Sequence, residues 1–192
     1  WKDRKGISWV DAGSKDMWDY LVRLGQASYN AGFDELNFDY IRFPSDGDMK
    51  NIAYPWSKNK IKAIVIRDFF SYLREKLGNS GAKLSADLFG MTTSNTDDLG
   101  IGQVLEYALQ SMDYVALMVY PSHYPAGFHN YKNPNAVPYE IIDFSMGRAV
   151  ERAVATSSIF NLTGSLPILK TATSSTQMYT KESWDKNKLR PW

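Results

Sequence analysis

The sequence predicts an α/β fold with a parallel sheet, and within that class a (β/α)8 barrel of which the chain carries only part. Three observations lead there. Segments with helical spacing alternate with short apolar segments in the order helix, strand, helix, strand, helix, strand, helix. Each repeat takes roughly 30 to 45 residues, the size of one βα unit, and such units lay their strands parallel with the helices as crossovers. The long polar loops all follow strand ends, which favours a barrel over an open doubly wound sheet. No strand is followed by a glycine-rich phosphate turn; Gly100-Ile101-Gly102 is only a fragment of one and reads as a helix start. A complete barrel takes about 250 residues. These 192 hold three clear strands and up to two more at the ends.

The elements follow in order. Residues 1–13 form a polar, aromatic loop with Trp9 and Asp11. Ser14 is a helix cap with Asp16 in the first turn, and Met17, Trp18, Leu21, Leu24, Ala27 and Ser28 keep helical spacing up to Gly32. Residues 37–44, Asn37-Phe38-Asp39-Tyr40-Ile41-Arg42-Phe43-Pro44, crowd aromatic and β-branched side chains ahead of a proline, so they read as a buried strand. Asp39 sits in its middle, where desolvation is costly unless the carboxylate has a use. Asn37 lies two residues away and shares its face. Residues 44–56 are a loop rich in Pro, Asp and Gly. Ser57 reads as the cap of a helix to Leu77 with Ile61, Ile64, Val65, Phe69, Tyr72 and Leu73 on its apolar side, stopped by Gly78 and Gly81. A second strand spans 83–89 with Asp87 near its end, and a Thr/Ser/Asn/Asp loop follows to Gly100. A helix over 101–110 leads to a third strand over 114–120. The loop 121–138 holds Ser122, His123, Tyr124, Phe128, His129 and Tyr131, and a helix runs from Pro138 or Tyr139 to about Ala155. The tail is Ser/Thr-rich and includes a glycosylation sequon at Asn161-Leu162-Thr163, a pattern common by chance; residues 188–192 could open another strand. The whole is read as a single partial domain over 1–192.

Composition excludes several classes. A net charge of +1 without a long basic run gives no nucleic-acid signature. No stretch approaches a membrane span. Cysteine is absent, so disulfide and thiol chemistry are excluded, while the compartment stays open. The 14% aromatic content suits stacking on flat ligands, or an aromatic core. The chain opens on Trp1 without a signal peptide and is expected to be a piece of something longer.

Polar groups gather at three successive strand ends: Asn37, Asp39 and Arg42; Ser85 and Asp87; Tyr120, Ser122, His123 and Tyr124. In a parallel sheet these ends share one side. Two carboxylates facing a cleft with Tyr and His suit glycosidic bond cleavage, one stabilising or attacking the developing cation and the other donating a proton. The tyrosines and Trp56 could stack on sugars. Each residue also has a plainer reading. Asp39 could pair with Arg42 or a neighbouring lysine, Asp87 could cap the following loop, and His123 could serve only its own turn. His129 reads as a surface residue, and Asp46 and Asp48 beside Gly47 as turn chemistry. No metal spacing is recognised, and no cofactor is called for.

Gly32-Phe33-Asp34-Glu35 leading into Phe38-Asp39-Tyr40-Ile41-Arg42-Phe43-Pro44-Ser45-Asp46-Gly47 resembles the signature of a glycoside hydrolase family of bacteria and archaea, TIM-barrel domains distantly related to α-amylase-like and α-galactosidase-like enzymes. Trp9-Val10-Asp11, Ser85-Ala86-Asp87-Leu88-Phe89-Gly90, Tyr120-Pro121-Ser122-His123-Tyr124, Pro138-Tyr139-Glu140 and Arg190-Pro191-Trp192 fit the same family, so the resemblance runs nearly end to end. It implies that the chain carries about strands four to six and the start of seven. The rest of the same polypeptide, or partner chains, would complete the barrel. It implies Asp39 as nucleophile or cation stabiliser at the end of strand four and Asp87 as proton donor on strand five, with Asn37, Arg42, Tyr120, His123 and Tyr124 binding a carbohydrate. Strand six ends in Tyr120 and offers no carboxylate. The expected setting is extracellular, cell-surface or periplasmic. The rival expectation is a non-catalytic glycan-binding or structural barrel; a third is a metal-dependent hydrolase using Asp39, Asp87 and His123.

Overall fold

The computed structural model of the protein describes residues 1–154 and 184–191. Its elements are α1 (Lys15–Asn30), β1 (Glu35–Phe38), α2 (Lys62–Leu77), β2 (Lys83–Phe89), α3 (Leu105–Ser111), β3 (Tyr114–Met118), α4 (Pro138–Ala153) and β4 (Leu189–Pro191). The strands form one sheet in the order β1-β2-β3-β4, every neighbouring pair parallel. The α/β class with a parallel sheet is therefore the observed one. The Ser/Thr-rich stretch around Asn161, with its sequon, lies outside the described residues. Among the described residues no helix is long and apolar enough to cross a membrane.

Side-chain alternation divides the sheet into two unlike faces. Leu36, Leu84, Ala86, Leu88, Val115 and Leu117 point to the helices, where they meet Trp18, Phe70, Leu73, Leu77, Leu105 and Leu109 in one continuous core. The other face carries Glu35, Asn37, Ser85, Asp87, Tyr114 and Arg190. Arg190 donates to both carboxylate oxygens of Glu35 at 3.0 Å, and its guanidinium lies 3.4 Å from the centre of the Tyr114 ring. Glu35 is level with Lys83, while Arg190 is level with Ala116 and hence with Asp87. In a flat sheet these positions would stand about 14 Å apart across the strands and about 13 Å along them. That is farther than an arginine and a glutamate reach together. The sheet therefore curls toward its polar face, and curl with staggered register is what closes a sheet into a barrel.

Helix starts depend on what their first residues can reach. Ser14 caps α1, its Oγ accepting from Met17 N at 3.4 Å. Ser57 does not cap α2, which begins five residues later; its backbone N–H and hydroxyl are taken by Asp11. Pro138 opens α4, where a missing N–H costs nothing.

The expected strand over 37–44 is corrected. β1 ends at Phe38, and Tyr40 turns the chain with a left-handed φ of 56°. The burial that the apolar pattern signalled is real but lies elsewhere. Ile41 and Phe43 are buried in the core, held by Phe43 N donating to Ile101 O at 2.8 Å and Gln103 Nε2 to Ile41 O at 3.1 Å. They pack under a loop instead of pairing with a strand.

Candidate functional site

Parallel β1, β2 and β3 end on one edge of the sheet. The segment before α1 sits there too, because α1 returns the chain to the start of β1. Asp11 fastens that segment to the β1–α2 loop. Its carboxylate accepts from Gly13 N at 3.0 Å, Trp56 N at 2.9 Å, Ser57 N at 3.0 Å and the Ser57 hydroxyl. Burial pushes its pKa up, but those four donors outweigh burial and hold it below the usual aspartate value.

Asp87 is 3% exposed, and its Oδ1 accepts from Asn37 Nδ2 at 3.0 Å. The register makes this contact possible, since Asn37 is level with Ser85 on the strand that carries Asp87. Burial raises the Asp87 pKa, the Asn37 hydrogen bond opposes that rise, and the charge of Asp39 adds to it. Asp39 itself is exposed, one residue past β1, with Oδ1 accepting from Tyr40 N at 2.6 Å. The expectation of a buried Asp39 is thus corrected: β1 is an edge strand whose end opens to solvent. The structure brings Asn37, Asp39 and Asp87 together, with one carboxyl biased toward its protonated form and the other in water. A proton donor and an anionic partner need that division.

Arg42 forms no ion pair among the described residues. It donates to Phe43 O at 3.2 Å and Ser45 Oγ at 3.1 Å. Tyr120 and His123 meet edge to face with ring centres 5.1 Å apart in the turn after β3, His123 exposed and Tyr120 half-buried. Tyr124 is buried, its ring 4.4 Å from that of Phe128 and its hydroxyl against Gly90, where it shapes the loops from within. No grouping of three or more His, Asp or Glu side chains fit to hold a metal occurs among the described residues.

Gln103 is a site residue that sequence reasoning missed. It is 1% exposed; Oε1 accepts from Phe89 N at 2.8 Å, while Nε2 donates to Ile41 O at 3.1 Å and reaches Asp87 O at 3.5 Å. One amide thus ties the end of β2 to the segment just after Asp39. The only signal in the sequence is a polar side chain between Ile101 and Val104-Leu105.

No curated protein matches the chain. Among solved structures it is similar to a class V chitinase from Pseudomonas fluorescens Pf-5, with a TM-score of 0.42 and 18% identity over 62% of this chain and 32% of that one. It is similar to a Group IV chitinase of Ostrinia furnacalis, at 0.43 and 17% over 64% of this chain and 31% of that one. It is also similar to the spore cortex-lytic enzyme SleL of Bacillus megaterium QM B1551, at 0.48 and 14% over 73% and 28%. The chain spans about a third or less of the length of these proteins, and likeness at this level assigns no role to any residue. A family model matches far more of it, residues 1–191, and on that match the chain belongs to the family described as "Putative glycosyl hydrolase domain".

Proposed function

We propose that the chain is the site-bearing part of a (β/α)8 glycoside hydrolase that acts on a poly- or oligosaccharide through two carboxylates. Asp87 is the proton donor. Asp39 is the nucleophile, or the charge that stabilises the oxocarbenium-like transition state. The observation that carries this reading is the pairing of a buried Asp87, its pKa raised, with an exposed Asp39 on the adjacent strand end. Asn37 holds the orientation of Asp87 between them. Arg42, Tyr120 and His123 contact the sugar from the flanking loops, and Tyr124 supports those loops from below. The remaining strands come from the rest of the polypeptide or from partner chains.

The test uses the full-length protein on a broad glycan panel. Asp39→Asn is nearly isosteric but cannot carry the negative charge, so cleavage is lost while the melting temperature holds. Asp87→Asn slows cleavage most for substrates with poor leaving groups, which depend on protonation. A wild type that binds glycans and cleaves none moves the reading to a non-catalytic glycan-binding barrel.

A further inference from the structure

We infer that the cavity beside Asp39, bounded by Trp9 and Tyr40, is a saccharide subsite that seats one sugar ring of the bound chain. This deepens the glycoside hydrolase reading and rests on it for the identity of the ligand.

The first observation is backbone strain that leaves the ring largely in solvent. Tyr40 holds a φ of 56°, a left-handed conformation that disfavours any side chain, and its ring is 66% exposed. Strain of this kind persists where the surroundings over-determine it, and it gathers at ligand sites. Here the turn lifts the Tyr40 ring off the end of β1 and faces it toward Trp9, the ring centres 6.0 Å apart and the planes at 59°.

The second is the way Trp9 is held. Its Nε1 donates to Asp3 Oδ2 at 3.1 Å, and its backbone N–H to Trp1 O at 3.1 Å. Asp3 is in turn fixed by Lys5 N and Ile7 N, each 2.9 Å from Oδ1. The polar edge of the indole is therefore occupied, which leaves its faces for contact. Arg42 lies 5.0 Å from the Trp9 ring and 5.3 Å from the Tyr40 ring, its charge unpaired with any carboxylate among the described residues.

The third is the cavity itself. Its volume is about 310 Å³, with an apolar floor including Trp18, Ile66 and Phe69 and a rim carrying Asp39 and Arg42. That volume is at the small end of ligand pockets, which run from about 300 to 1,000 Å³. It suits a single ring. A pyranose presents a C–H face to aromatic walls and hydroxyls to a carboxylate and a guanidinium, so its two chemistries match the two parts of the lining. Asp39 borders the same cavity, while Asp87 and Asn37 stand outside its lining, so the ring sits on the Asp39 side of the proposed site.

The experiment titrates the full-length protein with soluble oligosaccharides (β-linked N-acetylglucosamine, β-glucan and α-glucan chains) by calorimetry and measures cleavage in parallel. Trp9→Ala and Tyr40→Ala are each expected to weaken binding, or raise KM, by roughly tenfold with kcat little changed, and Trp9→Phe to restore most of the loss. Tyr40→Gly removes the ring and relieves the left-handed turn, so binding falls while the melting temperature stays level or rises. A drop in melting temperature for Tyr40→Gly with binding intact would show a structural role and overturn the subsite. Cleavage with KM unchanged in all the variants removes the subsite and leaves the hydrolase reading standing. Binding without cleavage, lost in Trp9→Ala, removes the hydrolase reading and keeps the subsite. No binding to any chain in the panel overturns the subsite.

Discussion

At the scale of the residue, protonation organises the site. Asp87 is raised mainly by burial, so the folded state keeps a proton that the unfolded chain releases at the ordinary aspartate value of 3.8. Between that value and the folded pKa, stability falls as pH rises. Asp87→Asn removes the buried charge, so its melting temperature at neutral pH should exceed that of the wild type, with the gap closing below the ordinary value. A variant less stable at neutral pH would show that the carboxylate is compensated by more than Asn37. The same group sets the alkaline limb of activity if it donates the proton. Asn37→Ala withdraws a hydrogen bond to the ionised form, so that limb should move to higher pH in the pH–rate profile. Asp11 runs the other way. Its folded pKa is depressed, so its contribution is present above the unfolded value and lost as pH falls through the folded one. Asp11→Ala strands the part-buried backbone donors of Gly13 and Ser57, along with the exposed one of Trp56, and should cost about 1–3 kcal/mol by denaturant unfolding at neutral pH.

Elements are joined by a few buried polar ties, and those are where a substitution should be felt furthest. Arg152 on α4 is 2% exposed and grips Glu106 on α3 with two contacts at 2.8 and 2.6 Å. The same guanidinium donates to Asn95 O at 2.7 Å and to Thr92 O in the loop after β2. It fixes that loop, which begins beyond Asp87, to the helix layer. Arg152→Met leaves Glu106 buried without its partner and should cost about 3–5 kcal/mol, read from unfolding curves. Gly90 marks another such point. A Cβ there would strike Met118 O and stand 2.9 Å from the Tyr124 hydroxyl, so Gly90→Ala must part β2 from the end of β3. Its destabilisation should exceed that of Gly147→Ala, whose Cβ meets nothing within 4 Å and whose backbone is helical.

For the whole molecule, the two faces of the sheet set the architecture. One is sealed by α1, α2, α3 and α4; the other is polar, curled and spanned by the Glu35–Arg190 pair. That pair is half-exposed, and exposed pairs contribute little, about 0–1 kcal/mol. It reports the curvature without enforcing it. Among the described residues β1 and β4 each have one unpaired edge. Parallel sheets are stable when both faces and their edges are covered. The isolated 192-residue segment is therefore expected to associate or to unfold without a sharp transition, followed by size-exclusion chromatography and a thermal melt. A monomer with a cooperative melt would contradict this and show that the four strands suffice.

Local pattern alone determined the class of fold, the order of the elements and several of their limits. β2 alternates Leu84, Ala86 and Leu88 with polar residues ahead of a glycine, so 83–89 could be read at its observed ends; α1 has its cap in Ser14, and α4 its proline at the first turn. Asp39 and Asp87 were visible as carboxylates at strand ends. Tertiary structure decided what depends on distant partners. Where β1 stops is set by pairing with Lys83 to Ala86 and by the turn at Tyr40, so Ile41 and Phe43, although apolar, are buried outside the sheet. Ser57 lost its capping role to a carboxylate 46 residues away. Gln103 acquired one from carbonyl and amide groups that only the fold brings within reach, and the Glu35–Arg190 contact joins residues 155 apart. Periodicity reports which side chains are apolar, and hence which will be buried. It does not report which buried polar groups will find one another, because that choice is made by register and packing after the chain has closed on itself.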